Sequence, residues 1–318
     1  MNLCMEKLNL KQQKYEILRN PVSPSDAGAI ISCCKYAWPH GIYPYKALMD
    51  PQSWMPEGEL GVAIARREMY SSVVRDESGL IVAHAALVIN KILKLLERGR
   101  VFTNHPGSGY GELAMDGALK QAIEIGAEFV ITGRSHNRTS VTEAAKRVAE
   151  ANGMQLAVLG VSPHLYQEQG SDGNGYDWGE IDILNVKKGK RLIIPSPNNI
   201  PHQVKRLINI ITINNDSIGI QIADESVGNI EERIKIDDHL GLIDINNISQ
   251  QEEMINAGCI PVGIMPVRGS WFVKFFKGEV PPVVHGRMDV IKPDISPIYC
   301  SDDREFQIIN SVLNNEIK

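Results

Sequence analysis

The sequence predicts an α/β protein built on an α+β mixed sheet, followed by a second, smaller α/β domain. Three observations carry this. The chain has 318 residues, 43% of them hydrophobic, which suffices for a substantial core and suits two domains better than one. Short β-branched runs alternate with segments of helical spacing, and turn residues separate them. Between Glu168 and Gly179 (EQGSDGNGYDWG) four glycines and three acids interrupt the apolar patterning. A first domain over 1–167, a linker over 168–179 and a second domain over 180–318 follow.

Tyr15 to Arg19 reads as a strand, and Ser23-Pro-Ser-Asp26 offers capping residues for a helix running to Tyr36. Ala63 to Val74 and Leu80 to Asn90 are β-rich, and Asp76-Glu-Ser-Gly79 between them predicts an antiparallel hairpin. Arg100 to Thr103 is a short strand. Gly107-Ser-Gly-Tyr-Gly111 then leads into a helix with apolar Met115, Ala118, Leu119, Ala122 and Ile123, stopped by Gly126. Phe129 to Thr132 is a strand, Val141 to Asn152 a helix and Gln155 to Val161 a strand.

In the second half, Arg191 to Pro195, Gly219 to Ala223, Arg233 to Ile236, Leu242 to Ile245 and Ile260 to Met265 read as strands. His202 to Ile211 and Gln250 to Ala257 read as helices. Pro281-Pro282 and Pro293 to Pro297 mark an irregular tail. Glu150-Ala-Asn-Gly-Met154 before a strand closing at Pro163 echoes Ile255-Asn-Ala-Gly-Cys259 before a strand closing at Pro266. The echo predicts that the second domain repeats part of the first one's architecture.

With 33 basic and 38 acidic side chains the net charge is −5, so nothing in the balance draws the chain to nucleic acid. Leu80 to Leu93 is too short and too interrupted to span a bilayer, and residues 1–20 lack the apolar stretch of a secretory signal. A cytoplasmic protein without membrane contact is expected. Cys4, Cys33, Cys34, Cys259 and Cys300 contain no C-x-x-C spacing and read as reduced thiols. For the vicinal pair Cys33 and Cys34, helix packing competes with a redox or metal role. No metal site is expected.

A strand that feeds a glycine-rich turn into a helix presents backbone N–H groups and the positive helix end to one point, which suits a pyrophosphate. The spacing narrows the choice. No G-x-x-x-x-G-K-[ST] string exists, which excludes a P-loop. The run is G-x-G-x-G rather than G-x-G-x-x-G, and no acid closes the next strand, which disfavours a dinucleotide fold. A plain surface turn is the competing reading.

Val101-Phe-Thr-Asn-His-Pro-Gly-Ser-Gly-Tyr-Gly111 resembles the fourth strand and pyrophosphate loop of the GNAT superfamily of acyl-CoA-dependent N-acyltransferases. Gly79-Leu-Ile-Val-Ala-His84 is similar to that family's third strand. Gly153-Met154 stands where Gly-Phe is usual, so the resemblance covers residues 15 to 165. Tyr36-Ala-Trp-Pro-His-Gly-Ile-Tyr-Pro-Tyr45 and Gly258-Cys-Ile-Pro-Val-Gly-Ile-Met-Pro266 resemble two-lobed members with a GNAT-like C-terminal half. Two departures stand out. Pro106 occupies the place of the loop Arg or Gln, and Ala149 the place of a tyrosine that protonates the thiolate.

The resemblance implies transfer of an acyl group, most simply from acetyl-CoA, to the primary amine of a small or amino-acid-like molecule. It implies that the fourth and fifth strands splay and that Val101, Phe102 and Thr103 pair with the pantetheine arm. Gly107, Ser108, Gly109, Tyr110 and Gly111 would hold the pyrophosphate, with Asn137 as a further coenzyme contact. His136 and His84 are the candidate bases, because imidazole titrates near neutrality. His105 lies close to the expected cleft as well. Tyr110 and Tyr166 are candidate thiolate acids, and Glu112 reads as a capping carboxylate. Tyr36, Trp38, Tyr43 and Tyr45 would wall the acceptor, against a plain core patch, and a homodimer is a further expectation. The alternatives are a non-catalytic acyl-CoA-binding or regulatory protein, and an aminoacyl transferase drawing on charged tRNA.

Overall fold

The computed structural model describes residues 14–37, 46–90, 95–127, 129–135, 156–166, 175–185, 192–215, 220–223, 234–235, 240–267, 270–286, 298–300 and 303–314. The chain divides into two compact units, one of residues 1–90, 96–130 and 148–154, the other of 91–95, 131–147 and 155–318.

In the first unit β1 (Tyr15–Leu18) pairs antiparallel with β2 (Met69–Arg75), which pairs antiparallel with β3 (Ile81–Asn90). β4 (Leu95–Thr103) follows in the order β1-β2-β3-β4. The expected hairpin is there, and its turn chemistry explains it: the Asp76 carboxylate accepts from the Ser78 and Leu80 N–H groups, and Gly79 takes φ +83°. Every residue from Ile81 to Leu87 is buried, as befits a strand covered on both faces.

One cover is α1 (Pro24–Ala37), started by the Ser23 hydroxyl accepting from the Asp26 N–H at 3.2 Å. Two short 3-10 turns, Lys46–Met49 and Pro51–Trp54, and α2 (Glu59–Ala65) complete that layer. Trp54 is fully buried there and donates from Nε1 to the Leu48 carbonyl at 3.2 Å. Arg75 clamps the layer to the sheet, with both guanidinium Nη atoms on Asp26 at 2.8 and 3.0 Å and Nε on Glu16 at 2.7 Å.

The other face is covered by α3 (Tyr110–Glu124), which buries Ala114, Met115, Ala118, Leu119 and Ala122. It lies close because Gly117 has no side chain: a Cβ there would collide with Ser72 Oγ and the Tyr15 ring. Gly126, at φ +77°, ends it as expected.

The strand expected from Ala63 starts only at Met69. Leu60 and Ile64 are one helical turn apart and both buried, so Glu59–Ala65 is helix, and left-handed Arg67 (φ 56°) separates it from β2. β4 begins at Leu95 rather than Arg100, and β5 (Phe129–Ser135) runs past Thr132. The helix expected over 141–152 lies outside the described residues.

The second unit centres on two antiparallel hairpins, β6 (Leu156–Tyr166) with β7 (Gly175–Asn185), and β12 (Ile260–Val267) with β13 (Ser270–Phe276). β11 (Leu240–Asp244) pairs with β13, and β10 (Ile234–Lys235) with β11. The order β5-β7-β6-β12-β13-β11 reads alike from both ends. β6 and β12 meet at Gly160 and Gly263, and each strand is irregular beside its glycine. Both glycines stand three residues before a proline, Pro163 and Pro266. The sequence echo therefore has a physical counterpart: the echoed segments cross at equivalent glycines. A Cβ on Gly160 would collide with Gly263 Cα and the Val262 carbonyl oxygen.

Elsewhere in this unit β8 (Leu192–Pro195) and β9 (Ile220–Ala223) are parallel and joined through α4 (His202–Asn215). α5 (Ile248–Asn256) precedes β12, and β14 (Val283–His285) pairs parallel with β15 (Ile298–Cys300). The tail read as irregular instead ends in α6 (Asp303–Leu313). Its Ile308, Ile309, Val312 and Leu313 are buried at helical spacing. Among the described residues no helix is long and apolar enough to cross a membrane.

Candidate functional site

The site grows out of the end of β4. Thr103 donates from Oγ1 to the Val82 carbonyl at 2.8 Å and accepts there from the His105 N–H at 3.1 Å. The Asn104 N–H also reaches Val82 O, at 3.3 Å. These bonds fasten the loop's first residues to β3. The His105 carbonyl then accepts from Ser108 twice, from its N–H at 3.3 Å and its hydroxyl at 2.6 Å, and the same hydroxyl accepts from the Tyr110 N–H at 3.3 Å.

Gly107 and Gly109 have φ +81° and +82°, left-handed conformations that cost a residue with a Cβ about 1–2 kcal/mol. Gly109 is the residue that opens α3, and its carbonyl accepts from Leu113 N–H at 3.0 Å. Among the described residues the N–H groups of Gly107, Gly109 and Gly111 have no hydrogen-bond partner. A Cβ on Gly107 would meet nothing within 4 Å, so that side of Gly107 is open. Three unsatisfied amides thus stand beside the positive end of a fifteen-residue helix, an arrangement whose donors suit a small anion.

The strand leading in alternates as strands do. Phe102 is buried on the α1 side, while half-buried Val101 and Thr103 lie within 4 Å of where a Cβ on Gly111 would stand. Tyr110 is buried at the first helical position, its ring edge-on to His105 with centroids 5.9 Å apart.

His84 is completely buried. Its Nε2 sits 2.6 Å from Ser71 Oγ, and its ring stacks on Phe102 at 4.9 Å and meets Trp54 edge-on at 5.4 Å. The structure thus joins His84 to the core rather than to the loop. Tyr36 is exposed at the end of α1. Trp38, Tyr43, Tyr45, His136 and Asn137 lie outside the described residues.

Cys33 and Cys34 are buried in α1, and burial pushes both thiols up to about 11, so neither is a thiolate at neutral pH. Cys33 Sγ points its proton at the Ile81 carbonyl, 3.8 Å away. Packing is their role. Among the described residues no group of three His, Cys, Asp or Glu side chains is placed to hold a metal ion.

Sequence reasoning did not anticipate Ser108 as the internal brace of the loop. A serine two residues before a helix start is the available signal for that. Nor did it connect Asp76, in the β2–β3 turn, with His105. The Asp76 carboxyl is held below its ordinary range, first by the Ser78 hydroxyl and also by the charge of nearby His105.

No protein-family model and no curated protein matches the chain. Solved structures are similar in part. A phosphinothricin acetyltransferase from Sinorhizobium meliloti in complex with acetyl-CoA is 14% identical, with 56% of this chain and 92% of that one covered and a TM-score of 0.40. A ribosomal-protein-alanine N-acetyltransferase from Brucella melitensis is 15% identical over 53% and 98%, with a TM-score of 0.41. A spermidine N-acetyltransferase variant from Vibrio cholerae is 14% identical over 55% and 95%, with a TM-score of 0.39.

Proposed function

We propose that this protein is an acyl-CoA-dependent N-acyltransferase, most simply using acetyl-CoA, whose acceptor is the primary amine of a small molecule. One observation carries the reading: Gly107, Gly109 and Gly111 hold three unpartnered amides at the start of α3, on a loop fastened to β3 and β4. Backbone amides suit a pyrophosphate because they supply donors without the conformational freedom of long side chains.

The reaction joins the amine nitrogen to the thioester carbon, breaks the carbon–sulfur bond, moves one proton from nitrogen to a base and gives one to the thiolate. His136 is the base in this reading, since His84 is sealed between Trp54 and Phe102. Tyr110 is the candidate acid at the loop. The backbone of Val101, Phe102 and Thr103 takes the pantetheine arm, Asn137 adds a coenzyme contact, and Tyr36, Trp38, Tyr43 and Tyr45 would bind the acceptor.

The burial of His84 and the presence of Pro106 in the loop favour a second reading, a protein that binds acyl-CoA without turnover. Calorimetric titration with acetyl-CoA, followed by thiol release across a panel of amines, tests both. No binding at millimolar ligand removes both readings. Binding without thiol release selects the second.

A further inference from the structure

The second unit holds a cavity of about 210 Å³ that the transfer reaction does not use. Its described walls all belong to that unit: α4, α6, the end of α5 and the first residues of β12. The strand pairing explains its position. Among the described residues β12 meets β6 at the single couple Gly263 and Gly160, with a register shift between Pro261 and Gly263. Ile260 and Pro261 thus border the cavity, where α4 and α6 pack on each other and on β12. Gly258, at φ +81°, turns the chain out of α5 with its N–H on the Ile255 carbonyl at 2.9 Å, which sets Ile255 and Cys259 on the wall. Exposed Gln203 and Gly258 stand at the mouth, and buried Leu207, Cys259 and Pro261 lie deeper. The remaining lining is mostly aliphatic, and Arg206 is the one charged side chain among the described lining residues. Arg206 is half-buried and held from α4 to α6, its Nη2 donating to the Ser311 carbonyl at 3.0 Å. A guanidinium presents its N–H donors in a planar fork that matches a carboxylate, and one already fixed loses little freedom on binding.

We propose that this cavity binds a small aliphatic monocarboxylate, with its carboxylate on Arg206 and its alkyl chain against Ile210 and Ile255. The proposal goes beyond the acyl-CoA reading and does not rest on it. Size sets the chain length. A cavity of about 150 Å³ takes benzene, so this one has room for a chain of about six carbons. Charge sets the head group. One cation among apolar walls suits one negative charge, a phosphate dianion would bring charge that finds no partner there, and a cationic ligand would meet the guanidinium. The aliphatic lining gives the methylenes a place out of water, which a plain anion site would not need.

Hexanoate is the probe, with hexanol and hexylammonium as controls, titrated at neutral pH into the full chain carrying isoleucine methyl labels for NMR. The Ile210 and Ile255 methyl resonances should shift and saturate, and hexanoate should bind about ten-fold more tightly than either control. Ile210→Trp, which fills the cavity, should abolish the shift at Ile255. Arg206→Gln, which keeps a donor for the Ser311 carbonyl, should bring hexanoate down to the affinity of hexanol. No shift at these isoleucines with hexanoate on the order of 20 mM overturns the proposal. So does binding of hexanol or hexylammonium as tight as that of hexanoate, or a shift at Ile255 that survives Ile210→Trp. Thermal melts show whether the variants keep the fold, and the wild-type comparison of the three probes decides the matter without them.

Discussion

The loops after β4 and β8 have the same plan and opposite chemistry. Each takes the chain from a strand into a long helix, α3 in the first unit and α4 in the second. The first reads Asn-His-Pro-Gly-Ser-Gly and sets Gly107 and Gly109 in left-handed conformations with free amides. The second, following Pro195, reads Ser-Pro-Asn-Asn-Ile-Pro over residues 196–201. Its Pro197 and Pro201 have no N–H to offer, the Ile200 amide is taken by the Pro197 carbonyl at 3.3 Å, and the Ile200 side chain is buried. Two loops that each join a strand to a helix therefore differ in the backbone donors they can offer. What distinguishes the first loop is glycine at positions with φ near +80°, where the amides are without partners.

That contrast can be broken most strongly from the second loop. Ile200→Ala removes a buried side chain and should cost about 3 kcal/mol of stability, read by urea unfolding, while acetyl-CoA affinity stays unchanged. Lost affinity would mean that the proline loop also serves the ligand. Gly109→Val attacks the first loop. A β-branched residue at φ +82° is strained by about 1–3 kcal/mol and must move the amides, so calorimetry should show affinity down on the order of a hundred-fold. Retained affinity would place the pyrophosphate elsewhere. Gly107→Ala is gentler, because only the backbone angle objects: about 1 kcal/mol of stability and a loss of affinity of about five-fold are expected.

Much of the first loop's setting was legible because its signals are local. Gly126 at a helix end, Asp76 to Gly79 in a hairpin turn and Ser23 before Asp26 each fix a backbone conformation through their own chemistry. Failures came where tertiary context decides. Val62, Ala63 and Ile64 suit a strand as well as a helix, and burial of Leu60 with Ile64 settles it. Nearby prolines obscured α6, although Glu305, Ile308, Ile309 and Val312 already show its buried stripe. β13 had a plain aromatic signal in Trp271-Phe-Val-Lys-Phe-Phe276 that went unused. In the candidate site, the glycine-rich turn and the helix that follows it could be read from the residues. The depth of His84 could not, since a histidine in a β-rich run looks the same whether it faces solvent or stacks on Phe102.

The two units also differ in how their ion pairs are housed, and this gives the smallest effect. In the second unit His285 and Asp303 meet at 2.9 Å with both side chains well exposed, a geometry worth little in water. In the first, Arg75 grips Asp26 with two hydrogen bonds in a mostly buried setting, and the Asp26 carboxyl is held below its ordinary value near 3.8 chiefly by that contact. Because the folded protein lowers this pKa, the stabilisation is fully present above the unfolded value and disappears as pH falls through the folded one. Unfolding of the wild type should thus ease by about 1 kcal/mol between pH 5 and pH 2.5 on this account. Arg75→Met should be less stable than wild type at pH 5 and lose less on acidification, whereas His285→Gln should change neither quantity. If Arg75→Met keeps the full acid dependence, the clamp between α1 and β2 is not its source, and the other carboxylates of the first unit must carry it.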